Sequence, residues 1–278
     1  MRKIRIVSDS ASDLVALEYA DFSYSPMKII TSEREFVDDA SLDVDAMVAY
    51  FDKYKGKSRT SCPNTSDWLL AFGDADDVIC VTITSALSGS FNSACAAKKL
   101  YEADGSGKRV FVVDSLSAGS EITLIVKRLE QYVKSGASYE DICEGITEYK
   151  KNTGLVFMLK SLKNFANNGR VSPVVAKLVG LAGICIVGKA SDGGTLEATH
   201  KCRGEGKSID TLVSDLESLG LVRGKVSIGH CRNPRAAEIL KTKIEAKFPE
   251  ASVEVHHLRG LCCFYAEDGG LLVGFEKA

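Results

Sequence analysis

The chain has 278 residues, 45% hydrophobic and 26% charged, with only five prolines and a formal charge of −2. That composition describes an ordinary globular protein long enough for two modest domains, and it excludes disorder, low complexity and an electrostatic footprint for nucleic acid. No window reaches the roughly 18 apolar residues of a membrane span, and the opening "MRKIRIVSDSASDL" is too short in apolar residues for a secretory leader, so a cytoplasmic protein without stable membrane insertion is expected.

The first expected strand is "IRIVSD", and the stripe of Val44, Val48 and Phe51 predicts a helix over Asp43–Tyr54. Next comes "SRTSCPNTSDWLLAF", a hydroxyl cluster running into a helix near Asp67, with Thr65 or Ser66 expected as its N-cap. Capping leaves Thr60 and Ser61, upstream of Pro63, without a reason. The strand "DVICVTI" then meets the loop Thr84 to Gly89 and a helix from about Ser90 to Tyr101. A third strand, "KRVFVVD", is followed by Ser115, Ser117 and Ser120. Ser138 and Asp141 have the spacing of a capping box for the helix around Ile142 and Ile146.

A boundary is expected near residue 153, where "KKNTGLVF" ends a helical stretch and opens a strand, giving an N-terminal α/β domain over 1–153 and a C-terminal one over 154–278. Strands are expected at "LVFML", "GICIV", "GTLEATH", "KVSIGH" and "SVEVHHL". Asn233 and Pro234 read as the N-cap and first residue of a helix between the last two. The final apolar strand in "GLCCFYAEDGGLLVGFEKA" must pair with an earlier strand, in either domain. Strands alternating with amphipathic stretches predict an α/β fold with a mostly parallel sheet covered by helices.

In such a sheet the loop after a strand lies in the ligand crevice, and the next helix offers unpaired N–H groups toward it. Gly89 lets the backbone approach a ligand there, and Ser88 and Ser90 add hydroxyls; simple helix capping explains those two serines equally well. Three hydroxyl-rich strand ends with no acid, base or metal cluster beside them suggest a site that grips a polar head. Other chemistries lack their motifs. "GSGKR" misses the first glycine and the final Ser or Thr of a phosphate-binding loop, no G-x-S-x-G elbow or G-x-G-x-x-G occurs, and His200, His230, His256 and His257 show no ligand spacing. Nine cysteines, an odd count without repeating spacing, read mainly as small buried hydrophobes in a reducing compartment.

The whole pattern resembles the DegV family of bacterial fatty acid-binding proteins, which includes the lipid-presenting subunit of fatty acid kinase. "IRIVSDSASDL", "RTSCPNTSDW", "ITSALSGSFNSA" and "LVFMLKSLKNFANNGRVS" resemble successive family motifs in order. The resemblance implies two α/β domains with a long-chain fatty acid in a tunnel between them. Ser61 and Ser88 would hydrogen-bond the carboxylate, with Thr60, Gly89 and Ser90 close by. Arg170 would stand near the open end, facing the carboxylate and later an acyl phosphate made by a separate kinase subunit, or it is a surface arginine in an ion pair. Asp9 and Ser10 match the opening motif and read mainly as loop-fixing groups, with lining of the site as the alternative. Phe91, Phe157, Leu159, Phe165, Leu178 and Ile184 would line the tunnel or pack as plain core.

On this view no catalytic residue, metal or cofactor is needed, and the ligand is the lipid itself. Each charge-assisted bond to the head contributes about 1.5–3 kcal/mol, whereas a chain of about 15 methylenes contributes roughly 12 kcal/mol on burial, so the tail supplies affinity and the head orientation. The tail motif departs from the family: Tyr265 stands where it has a histidine, and Glu267, Asp268 and Gly269 replace Gly-Pro-Gly. Two rivals stay open: a Ser-dependent acyl or phosphoryl transferase using Ser88, and a regulatory protein with an altered lipid site.

Overall fold

In this computed structural model, residues 2–103, 105–171 and 183–277 are described. Strands β1 (Ile4–Asp9), β2 (Phe22–Ser25), β6 (Asp77–Thr82) and β7 (Arg109–Asp114) make an all-parallel sheet in the order β2-β1-β6-β7. Its central strands β1 and β6 are buried on both faces over most of their length, which is why they read as apolar runs, whereas the edge strand β2, FSYS, is only half-buried. Ile6, Ile79 and Val81 point to the centre of the molecule. Val7, Val78 and Cys80 pack outward on Trp68 and Phe72 of α2 (Thr65–Phe72) and Ala94 and Ala97 of α3 (Ser90–Glu102).

A small antiparallel sheet, β4 (Glu35–Val37), β3 (Lys28–Thr31) and β5 (Ser58–Ser61), was invisible to the periodicity argument because its strands are short and partly polar. Thr60 and Ser61 therefore lie on a strand, paired with Ile29 and Lys28, and not on a helix approach. Helix α1 (Val44–Lys53) runs between β4 and β5 and is capped by Asp43, whose carboxylate accepts from the Ala46 N–H at 2.9 Å.

The second sheet is mixed, ordered β10-β9-β8-β13-β11-β12, from β8 (Thr153–Leu159), β9 (Ile184–Ala190), β10 (Leu196–Arg203), β11 (Gly224–His230), β12 (Ala251–His257) and β13 (Leu271–Glu276). Only β11 and β12 run parallel. The final strand inserts antiparallel between β8 and β11, so it stays with strands that follow residue 153 and does not pair with the first sheet. Helices α7 (Glu205–Ser218) and α8 (Pro234–Lys247) cover the outer face over Val156, Met158, Val187 and Ile228.

Between the sheets lies α4 (Ser120–Lys134), with α5 (Tyr139–Tyr149) packed on it, while the short α6 (Lys163–Asn167) rests against α9 (Gly260–Ala266). The chain crosses over here twice. Helix α4 precedes residue 153 yet rests on β13 and β11. Two glycines admit it: a Cβ on Gly274 would sit 2.4 Å from the Ser120 carbonyl oxygen, and one on Gly229 2.7 Å from Ser120 Oγ. Helix α9, late in the chain, packs against α1 and β3 of the first half, with Phe264 edge-on to Phe51 at 4.9 Å.

Two expected caps differ in detail. Asn64, not Thr65 or Ser66, caps α2: its Oδ1 accepts from the Ser66 and Asp67 amides while Asp67 accepts from the Asn64 N–H, a full capping box. Pro234 opens α8, but the Asn233 amide donates to Glu205 and the Gly269 carbonyl instead of capping. Ser138 does cap α5, accepting from the Asp141 N–H. Six of the nine cysteines are buried and three half-buried, all free thiols. No described helix is long and apolar enough to cross a membrane.

Candidate binding cavity

A cavity of about 310 Å³ lies between the two large sheets, at the low end of the range for small-molecule pockets. One end is polar. Thr60 and Ser61 come from β5, Ser88 and Gly89 from the loop before α3, Arg170 from the segment after α6, and Tyr265 from α9, so six of the seven expected site residues line one space. The phenol of Tyr265 and the Thr60 hydroxyl are hydrogen-bonded at 2.9 Å, and Phe165 lies against the Tyr265 ring with centroids 4.7 Å apart. Burial pushes the phenol above its ordinary range and Thr60 and Arg170 draw it partly back, so Tyr265 is a neutral donor near physiological pH. Ser88 Oγ accepts from the Ser90 N–H at 3.2 Å, which leaves its proton available. The N-cap of the helix is Gly89, with no side-chain cap, so Ser88 faces the cavity and holds the Ser90 N–H without being the helix cap.

Ser90 is the exception. It is fully buried, off the cavity, and donates to Asp9 Oδ2 at 2.6 Å, because as the first residue of α3 its side chain turns back toward β1. The same oxygen accepts from the Ile83 N–H at 2.9 Å. One buried carboxylate therefore ties both ends of the Ile83–Ser90 loop, and Asp9 acts by positioning that loop. Ser10 accepts from the Met27 N–H at 3.0 Å, a loop-fixing contact also away from the cavity.

Phe157, Leu159 and Phe165 are in the wall as expected. Phe91 and Ile184 pack elsewhere, and Leu178 lies outside the described residues. Among the wall residues that sequence reasoning missed are Met27, Cys62, Leu155, Leu196, Leu261 and Leu272. Strand alternation puts Leu155 on the same face as Phe157 and Leu159, the one signal that was available for it. Gly89 is needed for close approach, since a Cβ there would press on Cys62 Sγ at 3.2 Å.

Behind the polar end sits a cluster of buried acids. Asp38 accepts from the Gly260 and Leu261 amides at the start of α9, both at 2.8 Å, and Asp13 accepts from the Arg259 N–H at 2.7 Å. Burial raises all three carboxyls, Asp9 to about 6 and Asp13 to about 8, with Asp38 upward as well. Each value exceeds the unfolded one near 3.9, so the folded state holds more protons and stability falls as pH rises from about 4 to about 8. Asp13 has φ 59° and a carboxylate oxygen without a partner. Asparagine tolerates that backbone and carries no charge. Asp13→Asn should therefore raise the urea midpoint at pH 8 by the equivalent of about 1–3 kcal/mol and leave it nearly unchanged at about pH 4; equal movement at both would clear the carboxyl of the effect.

Among the described residues no group of three His, Cys, Asp or Glu is placed to hold a metal ion. The fold and the cavity define a two-lobed α/β protein with a mostly apolar chamber onto which hydroxyls, a phenol and a guanidinium converge. The chain belongs to the DegV family: the family model described as "Uncharacterised protein, DegV family" matches residues 3–277. A DegV domain-containing protein of Streptococcus pyogenes serotype M1 is 40% identical over 276 residues, 98% of this chain and 99% of the relative. The fatty acid kinase B3 protein of Streptococcus pneumoniae, solved loaded with linoleic acid, superposes with a TM-score of 0.97 at 38% identity over 99% of this chain and all of that one. A DegV family protein from Eubacterium eligens loaded with heptadecanoic acid gives 0.96 at 40% identity, over 99% and 100%.

Proposed function

We propose that this protein binds a long-chain fatty acid in the cavity, carboxylate toward Ser61, Ser88, Thr60 and Tyr265, and presents that head near Arg170 to a separate kinase subunit for acyl phosphate formation. The division at residue 153, with the ligand between 1–153 and 154–278, belongs to the same proposal. The observation that carries it is the gathering of Thr60, Ser61, Ser88, Tyr265 and one guanidinium on a chamber whose remaining wall is mostly aliphatic and aromatic, with Thr84, Ser117 and Thr195 as its other hydroxyls. Both fatty-acid-loaded structures above support the ligand class.

The rival reading of Ser88 as a nucleophile needs a base. Among the described residues the lining has no histidine, aspartate, glutamate or lysine, which favours holding the lipid over transforming it. The placement of Tyr265 in the lining, bonded to Thr60, speaks for a working head site and against a degenerate one. Native mass spectrometry of protein purified from a bacterial host without delipidation should show one bound acyl chain per protein. Protein that arrives empty and ignores added palmitate and oleate would refute the reading.

A further inference from the structure

The loop that carries Ser88 turns on its first residue, Thr84, which is buried. The Thr84 carbonyl accepts from the Ser88 N–H at 3.2 Å and the Leu87 N–H at 3.3 Å, and the Thr84 N–H donates to the Ser117 carbonyl at 2.9 Å. The Thr84 hydroxyl accepts from the Ala86 N–H at 3.2 Å. Asp114 Oδ1 takes the Ser85 and Leu116 amides, both at 3.1 Å, and so joins this loop to the one after β7. A shift of the Thr84 side chain is therefore passed along hydrogen bonds to the Ser88 backbone.

The turn of the β9–β10 hairpin, which belongs to the second sheet, rests on that residue. Gly194 is buried with φ 75°, and a Cβ on it would lie 2.1 Å from Thr84 Oγ1, 3.0 Å from Leu116 Cα and 3.1 Å from the Leu116 carbonyl oxygen. Only glycine fits there. Its neighbour Gly193 is exposed, and a Cβ there would meet nothing nearer than Ser191 Oγ at 3.9 Å. The turn holds its own shape: the Gly194 N–H reaches the Ser191 carbonyl at 2.8 Å, the Ser191 N–H reaches the Thr195 carbonyl at 2.9 Å, and the Ser191 and Thr195 hydroxyls are bonded at 2.8 Å. A self-braced turn from one sheet thus bears on the pivot of a loop from the other.

We propose that Gly194 is a positioning residue for the head-group site: the β9–β10 turn clamps Thr84 and thereby sets where the Ser88 hydroxyl meets an anionic head. This rests on the reading that Ser88 holds the ligand's carboxylate. Gly194 acts through Ser88 and contributes no hydrogen-bonding side chain of its own. Its effect then exists only while the Ser88 hydroxyl is present.

The test is a double-mutant cycle in the full-length protein, with Gly194→Ala, Ser88→Ala and the two combined, read by equilibrium dialysis of palmitate and of hexadecanol. Gly194→Ala should weaken palmitate retention by about 5- to 50-fold, within the loss of one charge-assisted bond, and hexadecanol retention by less. In the Ser88→Ala background the same change should move palmitate by less than about twofold, because the hydroxyl it misplaces is gone. Gly193→Ala should leave palmitate retention at the wild-type level. If Gly194→Ala does not fold, Ser191→Ala, which loosens the turn, carries the same cycle with a smaller loss. Equal palmitate losses with and without the Ser88 hydroxyl, no loss at all, or a loss as large in Gly193→Ala overturns the clamp alone. If Ser88→Ala by itself costs no palmitate retention, the head-group reading and the clamp fall together.

Discussion

Replacing Ser61 and Ser88 together by alanine should weaken retention of a free fatty acid by about 10²- to 10⁴-fold, the loss of two charge-assisted hydrogen bonds at about 1.5–3 kcal/mol each. Ser88 has its proton free, since its oxygen accepts from the Ser90 amide. Ser61 is exposed toward the cavity and donates to the Cys62 carbonyl at a long 3.3 Å, a bond easily exchanged for a carboxylate. A fatty alcohol of the same length presents no charge and should lose less, about 5- to 150-fold at about 0.5–1.5 kcal/mol per neutral bond, so that each acid falls further than its alcohol. Equilibrium dialysis of both ligands decides the matter: parallel losses would mean that the hydroxyls shape the cavity and do not grip the head.

The largest expected effect on stability is at Asp38. Its carboxylate is wholly buried, takes both amides that open α9, and lies 3.9 Å from Arg259 Nε. Gly260 is obligatory beside it, because a Cβ there would come within 2.6 Å of Asp38 Oδ1. Asp38→Ala strands those N–H groups in the interior and should cost about 3–5 kcal/mol in urea unfolding. Asp38→Asn keeps one acceptor and should cost roughly half. Since α9 carries Tyr265, acid retention should fall with the alanine variant even where it remains folded. A loss within about 1 kcal/mol would show that α9 is anchored by its apolar face alone.

The strands buried on both faces announced themselves in the sequence, because "IRIVSD" and "DVICVTI" carry a long apolar signal that no helix period disturbs. The three-stranded sheet did not. "SRTS" at β5 has no apolar residue, and its strand character comes from pairing with β3, a tertiary fact. The hydroxyl residues of the cavity were legible as an excess over what capping requires, most clearly at Thr60 and Ser61. Ser90 was misjudged for a local reason: positions two apart at a helix start point in different directions, and only the folded chain reveals that Ser90 turns to Asp9 while Ser88 faces the chamber. The apolar wall was the least legible part, since Leu155 or Leu272 beside a cavity looks the same in sequence as Leu240 in solid core.

The reciprocal placement of α4 and α9 has a consequence for how a lipid gets in and out. Each half of the chain lends the other a helix, so a hinge that swung the lobes apart would have to tear α4 from β13 and α9 from α1 at the same moment. Exchange by local segments instead would run on the nanosecond-to-microsecond scale of loop motion, faster than the opening of whole domains.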